Sequence, residues 1–437
     1  LVELVLLGGG NMTKAERIRQ AIQQTKQRHK EQVPVVYELK VNLNSLSKAD
    51  RKNLIALFSE AKWLYNHIVA DIDNRLKYES YKLSEVEVKV GDKFETRPII
   101  NLSSQMKQSI VERIQRNLYA LHSSKEKGNK VGALKFKREV NSIPLKQYGK
   151  TFKFTNEQKT KVKLQGFNKP IRVLGGHQIP EDAEIAKAEL VRKASGIYLH
   201  VTCYIGKEDF LKVWQNRVNR KQIVKRREWK TFNQAAAIDF KPTGVVLSNG
   251  LKIEWKIEET PRLKRLQRTL SCKKKGSRNR QKVKQKVRKE YEHIVNVRQD
   301  VVNKVISLLY RYDTLIYQDD NIQAWHKGSF GKSIQTSAVG MIKRGLRDSL
   351  RVSTVLIDRF QPTTKTCSRC GNVQSLELSD RVYKCPACGS ELDRDLNATY
   401  NMLKFVGLDR SEVKPVEHET AVKIFGANPK VLISFVQ

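Results

Sequence analysis

The chain has 437 residues, with 83 Lys and Arg against 45 Asp and Glu, for a formal net charge of +38. That length exceeds one ordinary core and implies two or three domains. An enzyme of neutral small substrates gains nothing from such self-repulsion, so the charge points to a polyanion, nucleic acid by default.

Residues 1–34 read as an extension outside the fold: a short apolar start without the basic flank of a signal peptide, then Gly8–Gly10, then a polar basic stretch of helical propensity. Val35, Tyr37, Leu39, Val41 and Leu43 alternate at strand period. Ser47 caps a helix whose apolar positions Leu54, Leu57, Phe58, Ala61, Leu64, Tyr65 and Ile68 recur at three and four. A second helix runs from about Ser103 to His122. Residues 47–130 therefore form a helical lobe inserted between 35–46 and 131–210. Those flanking segments turn to β texture, with Ile197, Leu199, Val201, Cys203 and Ile205 on one strand face, and predict a β-barrel or sandwich. Trp63, Tyr65, Tyr78 and Tyr81 in the insert can stack on bases or pack, and packing is the default.

Residues 211–233 read as a linker, and an α/β unit follows. Ala235–Asp239 is a buried strand ending in a carboxylate, and Val245–Trp255 is a hairpin about Asn249-Gly250. Arg262 to Lys289 holds fourteen Lys or Arg in 28 residues and no acid. It reads as one continuous helical rod lying along phosphates, carried by Arg262, Lys264, Arg265, Arg268, Lys273, Lys274, Lys275, Arg278, Arg280, Lys282 and Lys284. Thr314–Gln318 and Ser353–Asp358 are further strands, with a helix over 333–350 between them. No run of about 18 apolar residues suggests a membrane span.

Six cysteines make no disulfide framework and fit a reducing compartment. Cys203 belongs to an apolar strand, and Cys272 has no assigned role. Cys367-x-x-Cys370 and Cys385-x-x-Cys388 have the spacing of a closed, four-sulfur structural zinc site. Such a site leaves chemistry to its neighbours, and the nearest is Asp395 in the helix start Asp393-Arg394-Asp395-Leu396-Asn397. A strand-end Asp239, a strand near Gln318 and a helix opening at Asp395 suggest an RNase H-like core. Such cores gather carboxylates around two divalent ions. Magnesium prefers these oxygen ligands.

Four stretches carry a resemblance: Ala237–Phe240, Leu266–Leu270 with Lys275–Arg280, Pro362–Gly371 and Asp393–Ala398. Together they resemble TnpB, the transposon-encoded RNA-guided DNA endonucleases related to compact type V CRISPR effectors. Gly132–Lys137 and Tyr148–Phe152 extend the likeness to the N-terminal part. The resemblance implies a multi-domain α+β architecture: a wedge β-barrel (35–46 and 131–210), a helical recognition lobe (47–130), a RuvC-like nuclease domain (234–365 and 393–408), a zinc ribbon (366–392) and a tail (409–437). It also implies a guide RNA, a double-stranded DNA target, one structural Zn²⁺, two catalytic Mg²⁺, a monomer and a cytoplasmic, nucleoid-associated setting. Division of labour in guided systems leaves sequence reading to base pairing.

The resemblance places catalytic residues at Asp239, at Gln318 and at Asp395, with Arg394 and Asn397 in support. The family has Glu where this chain has Gln318, followed by Asp319, Asp320 and Asn321. An uncharged amide weakens magnesium binding, so the expectation is weak cleavage or none, restored by Gln318→Glu. Gln318 is then either an engineered isostere or the mark of a naturally nuclease-dead, RNA-guided regulator or homing factor. Substitution by Asp320 ranks last, because it lies about 6.6 Å further along an extended strand and needs a bulge to return. Lys241, where the family has a small residue, either contacts a phosphate or faces solvent, and solvent is the default.

Overall fold

The computed structural model describes residues 13–409, except 92, 213–233, 328–330, 332–333, 335–336 and 378, together with 431–435. Most of the expected linker, including Trp214 and Trp229, and most of the tail lie outside the described residues. Two compact units result, residues 1–210 and 211–437.

The first unit opens with α1 (Lys14–Lys30), started by a capping box in which Thr13 and Glu16 satisfy each other's backbone N–H groups. Next come β1 (Gln32–Val41), α2 (Lys48–Ala70), α3 (Ile72–Arg75), β2 (Glu85–Val90), β3 (Lys93–Pro98) and α4 (Ser104–Glu126). Six strands close the unit: β4 (Ser142–Leu145), β5 (Phe152–Phe154), β6 (Lys161–Leu164), β7 (Ile171–Leu174), β8 (Glu184–Lys193) and β9 (Gly196–Gly206). They join β1 in a seven-stranded antiparallel sheet ordered β4-β8-β9-β1-β7-β6-β5.

Alternation on β9 buries Ile197, Leu199, Val201, Cys203 and Ile205, as the sequence period requires. The insert between β1 and β4 is not helical throughout, because β2 and β3 form a hairpin inside it. Nor does it build a core of its own. Leu54, Leu57, Phe58, Leu64, Ile68, Met106 and Ile114 share one core with the sheet residues Leu39, Leu199 and Val201. Tyr65 is buried in that core and Trp63 packs against it, which is the packing reading.

The second unit is built on a mixed sheet. Its elements are β10 (Ala235–Lys241), β11 (Gly244–Leu247), β12 (Leu251–Trp255), α5 (Pro261–Ser271), α6 (Arg278–Leu309), β13 (Thr314–Gln318), α7 (Ile322–Lys327) and α8 (Val339–Arg347). They continue with β14 (Ser353–Ile357), β15 (Val382–Lys384), β16 (Glu391–Asp393), α9 (Arg394–Phe405) and β17 (Val431–Phe435). The strand order is β14-β13-β10-β11-β12-β17, with β10, β13 and β14 parallel to one another and the other pairs antiparallel. Edge strand β17 falls within the segment expected to be a tail.

Alternation along β10 splits its side chains between two cores. Ala236, Ile238 and Phe240 pack with α6 and α8 residues such as Val302, Val305 and Ile342. Ala237 faces the other way, with Ile316 of β13 and Leu396, Tyr400 and Leu403 of α9. Asp239 and Lys241 share the parity of Ala237, so both lie on the α9 face. Gln318 shares the parity of Ile316 and lies there too.

Candidate active site

Two tight turns present the cysteines. Gly371 N–H bonds the Cys367 carbonyl and Gly389 N–H bonds the Cys385 carbonyl, each at 3.0 Å. Both glycines have positive φ, +80° and +69°, which side-chain-bearing residues rarely adopt. The four Sγ atoms lie within 4.8 Å of one another, with Cys367–Cys388 at 3.7 Å and Cys370–Cys385 at 3.5 Å. Four thiolates about 2.3 Å from a tetrahedral zinc stand roughly 3.8 Å apart, so this donor set fits zinc and leaves no open position.

The cluster is riveted to α9. Asn397, fully buried, accepts from Ser368 N–H at 2.9 Å and donates to the Thr366 carbonyl at 2.8 Å. One turn later, Asn401 Nδ2 donates to the carbonyls of Thr363 and Thr366 at 2.7 and 2.6 Å. Asp393 caps the helix, its Oδ1 accepting from Asp395 N–H and Leu396 N–H at 2.9 and 3.0 Å. The first turn of α9, which carries Asp395, is thereby fixed from two sides.

Asp395 is buried, with a side chain 7% exposed. Asp239 on β10 keeps part of its surface open. Desolvation pushes the Asp239 carboxyl up to about 8. The negative charges of Asp395 and Asp320 add to the rise, while Lys241 and Lys343 oppose it. Charges from β10, the end of β13, α8 and α9 thus all act on the Asp239 carboxyl.

Gln318 sits one step beyond the Ile238–Tyr317 register pair, on the strand beside Asp239. Its amide is engaged elsewhere. Nε2 donates to the carbonyls of Asp358 and Gln361 at 3.1 and 2.9 Å, and Oε1 accepts from Thr363 Oγ1 at 3.3 Å. The side chain serves as a strut for the loop between β14 and the first cysteine turn.

Asp320 occupies a different place from the one an extended strand gives it. Its N–H bonds back to the Gln318 carbonyl at 2.9 Å, a tight turn about Asp319 that ends β13. Its carboxylate pairs with Lys343, whose Nζ also donates to the Gln318 carbonyl at 2.8 Å. Asp319 is exposed and pairs with Arg359. The chain thus turns after Gln318 and does not run on as the extended strand assumed in the spacing of Asp320. Asp-Asp-Asn after an apolar strand is the composition of such a turn, and that was the available signal.

Lys241 neither faces open solvent nor stands alone, for its ammonium pairs with Asp395 Oδ2. Arg394 has a side chain 14% exposed, with Nε 3.8 Å from Asp395 Oδ1 and Nη1 donating to the Glu377 carbonyl at 3.2 Å.

The basic rod is two helices. α5 ends at Ser271, Gly276 takes φ +85°, and Ser277 caps α6 by accepting from Arg280 N–H at 3.1 Å. Arg262, Lys264, Arg265, Arg268, Lys273, Lys274, Lys275, Arg278, Lys282 and Lys284 are exposed. Arg280 is not: its guanidinium donates to the carbonyls of Leu270 and Lys273 and closes the end of α5. Arg262 meets Glu290 at 3.5 Å, an acid just beyond the charge run. Among the described residues, no helix is long and apolar enough to cross a membrane.

The Cas12f1-like TNB domain family matches residues 348–402, which span β14, the cysteine cluster and most of α9. A Streptomyces pristinaespiralis protein provisionally named an RNA-guided DNA endonuclease is 34% identical over 179 residues, 39% of this chain and 44% of that protein. A TnpB-like protein of Acanthamoeba polyphaga mimivirus is 30% identical over 154 residues, 30% of this chain and 27% of that protein. The chain therefore spans less than half the length of these relatives. A solved Cas12f1–sgRNA–target DNA complex is similar at TM-score 0.42 and 10% identity, covering 85% of this chain and 99% of that one.

Proposed function

We propose that this chain, a member of the TnpB family, is an RNA-guided DNA endonuclease whose cleavage site is Asp239, Asp320 and Asp395. The observation that carries this reading is the placement of Asp239 on the α9 face of the mixed sheet and of Asp395 at the start of α9, where Lys241 of β10 meets it, beside a four-cysteine cluster, with the charges of Asp395 and Asp320 both acting on Asp239. The sheet is read as RuvC-like. The seven-stranded sheet and its helices are read as the wedge and recognition part, and residues 366–392 as the zinc ribbon.

The donor type suits a hard divalent cation, although among the described residues only the four cysteines already stand close enough to share an ion. All three ligands are carboxylates, the type Mg²⁺ takes, and their mutual repulsion at Asp239 is what such a cation relieves. When bound, magnesium would activate water and neutralise charge at a scissile phosphodiester. The chain's own residues do the rest. Asp393 and Asn397 hold the first turn of α9 so that Asp395 faces β10. The turn at Asp319 brings Asp320 round, and Lys343 steadies it. The exposed cations of α5 and α6 offer a track for phosphates, with guide RNA and DNA as the polyanions.

Gln318 has no catalytic part in this reading, because its amide is committed to the 358–363 loop. The alternative, a nuclease-dead guided binder, follows if Gln318 is the third ligand position. The deciding experiment programs the purified protein–RNA complex against matched DNA in Mg²⁺. Guide-dependent cleavage that Asp320→Asn abolishes supports the endonuclease. Guide-dependent binding without cleavage supports the regulator.

A further inference from the structure

Phe360 is 86% exposed, and among the described residues no large apolar side chain is more so. It sits in a tight turn just after β14. Gln361 N–H bonds the Asp358 carbonyl at 3.1 Å, and Phe360 N–H bonds Asp358 Oδ1 at 2.8 Å. Gln318 ties the two ends of the turn together, its amide donating to the carbonyls of Asp358 and Gln361 on either side of the ring. The hydroxyl of Thr363 donates to Gln318 Oε1, and the carbonyl of Thr363 accepts from the buried Asn401 of α9 at 2.7 Å. Four side chains thus brace a turn whose one large apolar group stands in water.

We propose that Phe360 stacks on an unpaired base of a DNA strand brought to the carboxyl ends of β10, β13 and β14, and that Gln318 is the positioning residue that holds the ring there. The inference rests on the reading of DNA as the substrate, and not on where a divalent ion sits.

Place and charge favour this partner. Strands β10, β13 and β14 are parallel, and the turn follows the end of β14, next to Gln318 at the end of β13. Open α/β sheets take their ligands outside the carboxyl ends of such strands. Residues 359–376 hold three cations and no acid. Arg359, which pairs with Asp319, and Lys365 and Arg369 are all exposed. An aromatic face among cations suits a single strand, whose bases stack on the ring while its phosphates meet the charges. Every base has such a face, so the contact is tolerant of sequence and leaves reading to a guide. The same arrangement gives Gln318 its reason. Its amide carries two protons for two carbonyls, and an ionised glutamate has none.

The test uses the full-length, zinc-loaded protein and a single-stranded DNA carrying 5-iodouracil in place of thymine, a base that crosslinks under ultraviolet light to an aromatic ring stacked on it. Mass spectrometry of the digested adducts should place a crosslink at Phe360. Phe360→Leu should lose that adduct and keep its melting temperature, since the ring touches little of the protein, and Phe360→Trp should retain it. Gln318→Glu leaves the ring in place and loosens its turn. It should lower the adduct at Phe360 by on the order of 10-fold relative to adducts elsewhere on the same chain, a ratio that general loss of stability does not move. Bound DNA with adducts only at other residues overturns the part of Phe360 and leaves the nucleic-acid reading standing. An undiminished adduct in Gln318→Glu overturns the part of Gln318. No DNA bound by the wild type overturns the reading beneath both.

Discussion

Gln318 donates its side-chain amide to the main-chain carbonyl of Gln361 at 2.9 Å, and a carboxylate in its place has no proton to give. The same NH₂ group also meets the Asp358 carbonyl at 3.1 Å. Gln318→Glu would set a negative acceptor against two acceptors. Leaving such groups unpaired costs on the order of 1–3 kcal/mol. The expected outcome is a lower melting temperature with no gain in cleavage. Asp320→Asn should lower cleavage by on the order of 100-fold, as removal of a charge-stabilising group does in other sites, with some fall in melting temperature from the lost ion pair with Lys343. A gain of cleavage in Gln318→Glu would return the third ligand to position 318.

The end of β13 marks where the sequence stopped being legible. Asp239 and Asp395 were readable because strand parity and the Asp-Arg-Asp helix start fix them locally. The four cysteines were readable because spacing alone closes a tetrahedron. The turn at Asp319 was not, although Asp-Asp-Asn after an apolar strand is turn composition, because the strand was carried past Gln318, where the bond from Asp320 N–H to the Gln318 carbonyl ends it. The rod at 262–289 hid its own break, since a run of lysines and arginines masks the turn chemistry of Gly276-Ser277. Hairpin β2–β3 was missed although Val86, Val88 and Val90 alternate at strand period before Gly91, because β3 is almost wholly exposed and polar and gives no second signal beside them. Edge strand β17 lies far from its partner β12 in sequence, and only pairing defines it.

Zinc removal should be felt at Asp395 before it is felt in the sheet. The first cysteine turn reaches α9 through Ser368 N–H and Asn397 Oδ1, and Asn397 is wholly buried. Chelation, or Cys370→Ser, frees the turn and leaves that amide without its partner. Hydrogen exchange should rise over residues 363–397 and stay low in β10 and β13. Asn397→Ala in the zinc-loaded protein should reproduce part of the loosening and lower stability by about 1–3 kcal/mol. Mass spectrometry should find one zinc per chain, and exchange confined to other segments would break the link between cluster and helix.

The pH response of the zinc-loaded, magnesium-free protein should carry the mark of Asp239. Its carboxyl holds its proton to about pH 8 in the folded chain, against 3.8 as the ordinary value. Between those limits the folded state binds more protons than the unfolded one, so stability falls as pH rises. One group contributes at most about 1.4 kcal/mol per pH unit, and the part of Asp239 open to water lowers that figure. Melting temperature should drop from pH 5 to pH 8, and Asp239→Asn should flatten the slope. Added Mg²⁺ should stabilise most at the alkaline end, where the carboxylates are free to bind it. A slope unchanged by Asp239→Asn would assign the response to other groups.

The cations of α5 and α6 should separate into two behaviours. Lys273, Lys274 and Lys275 are exposed on the connection between the helices. Replacing all three with alanine should leave the fold intact and weaken binding to any duplex regardless of sequence. If each neutralises one phosphate, the slope of log affinity against log salt should fall by roughly 0.7–0.9 per lysine removed. Arg280 should behave in the opposite way. Its guanidinium satisfies two carbonyls at the end of α5, so Arg280→Ala leaves both without that donor. It should lower the melting temperature and loosen α5 in hydrogen exchange, while the salt slope stays near that of the wild type. A salt slope that falls in Arg280→Ala as much as in a single lysine variant would place the side chain on nucleic acid after all.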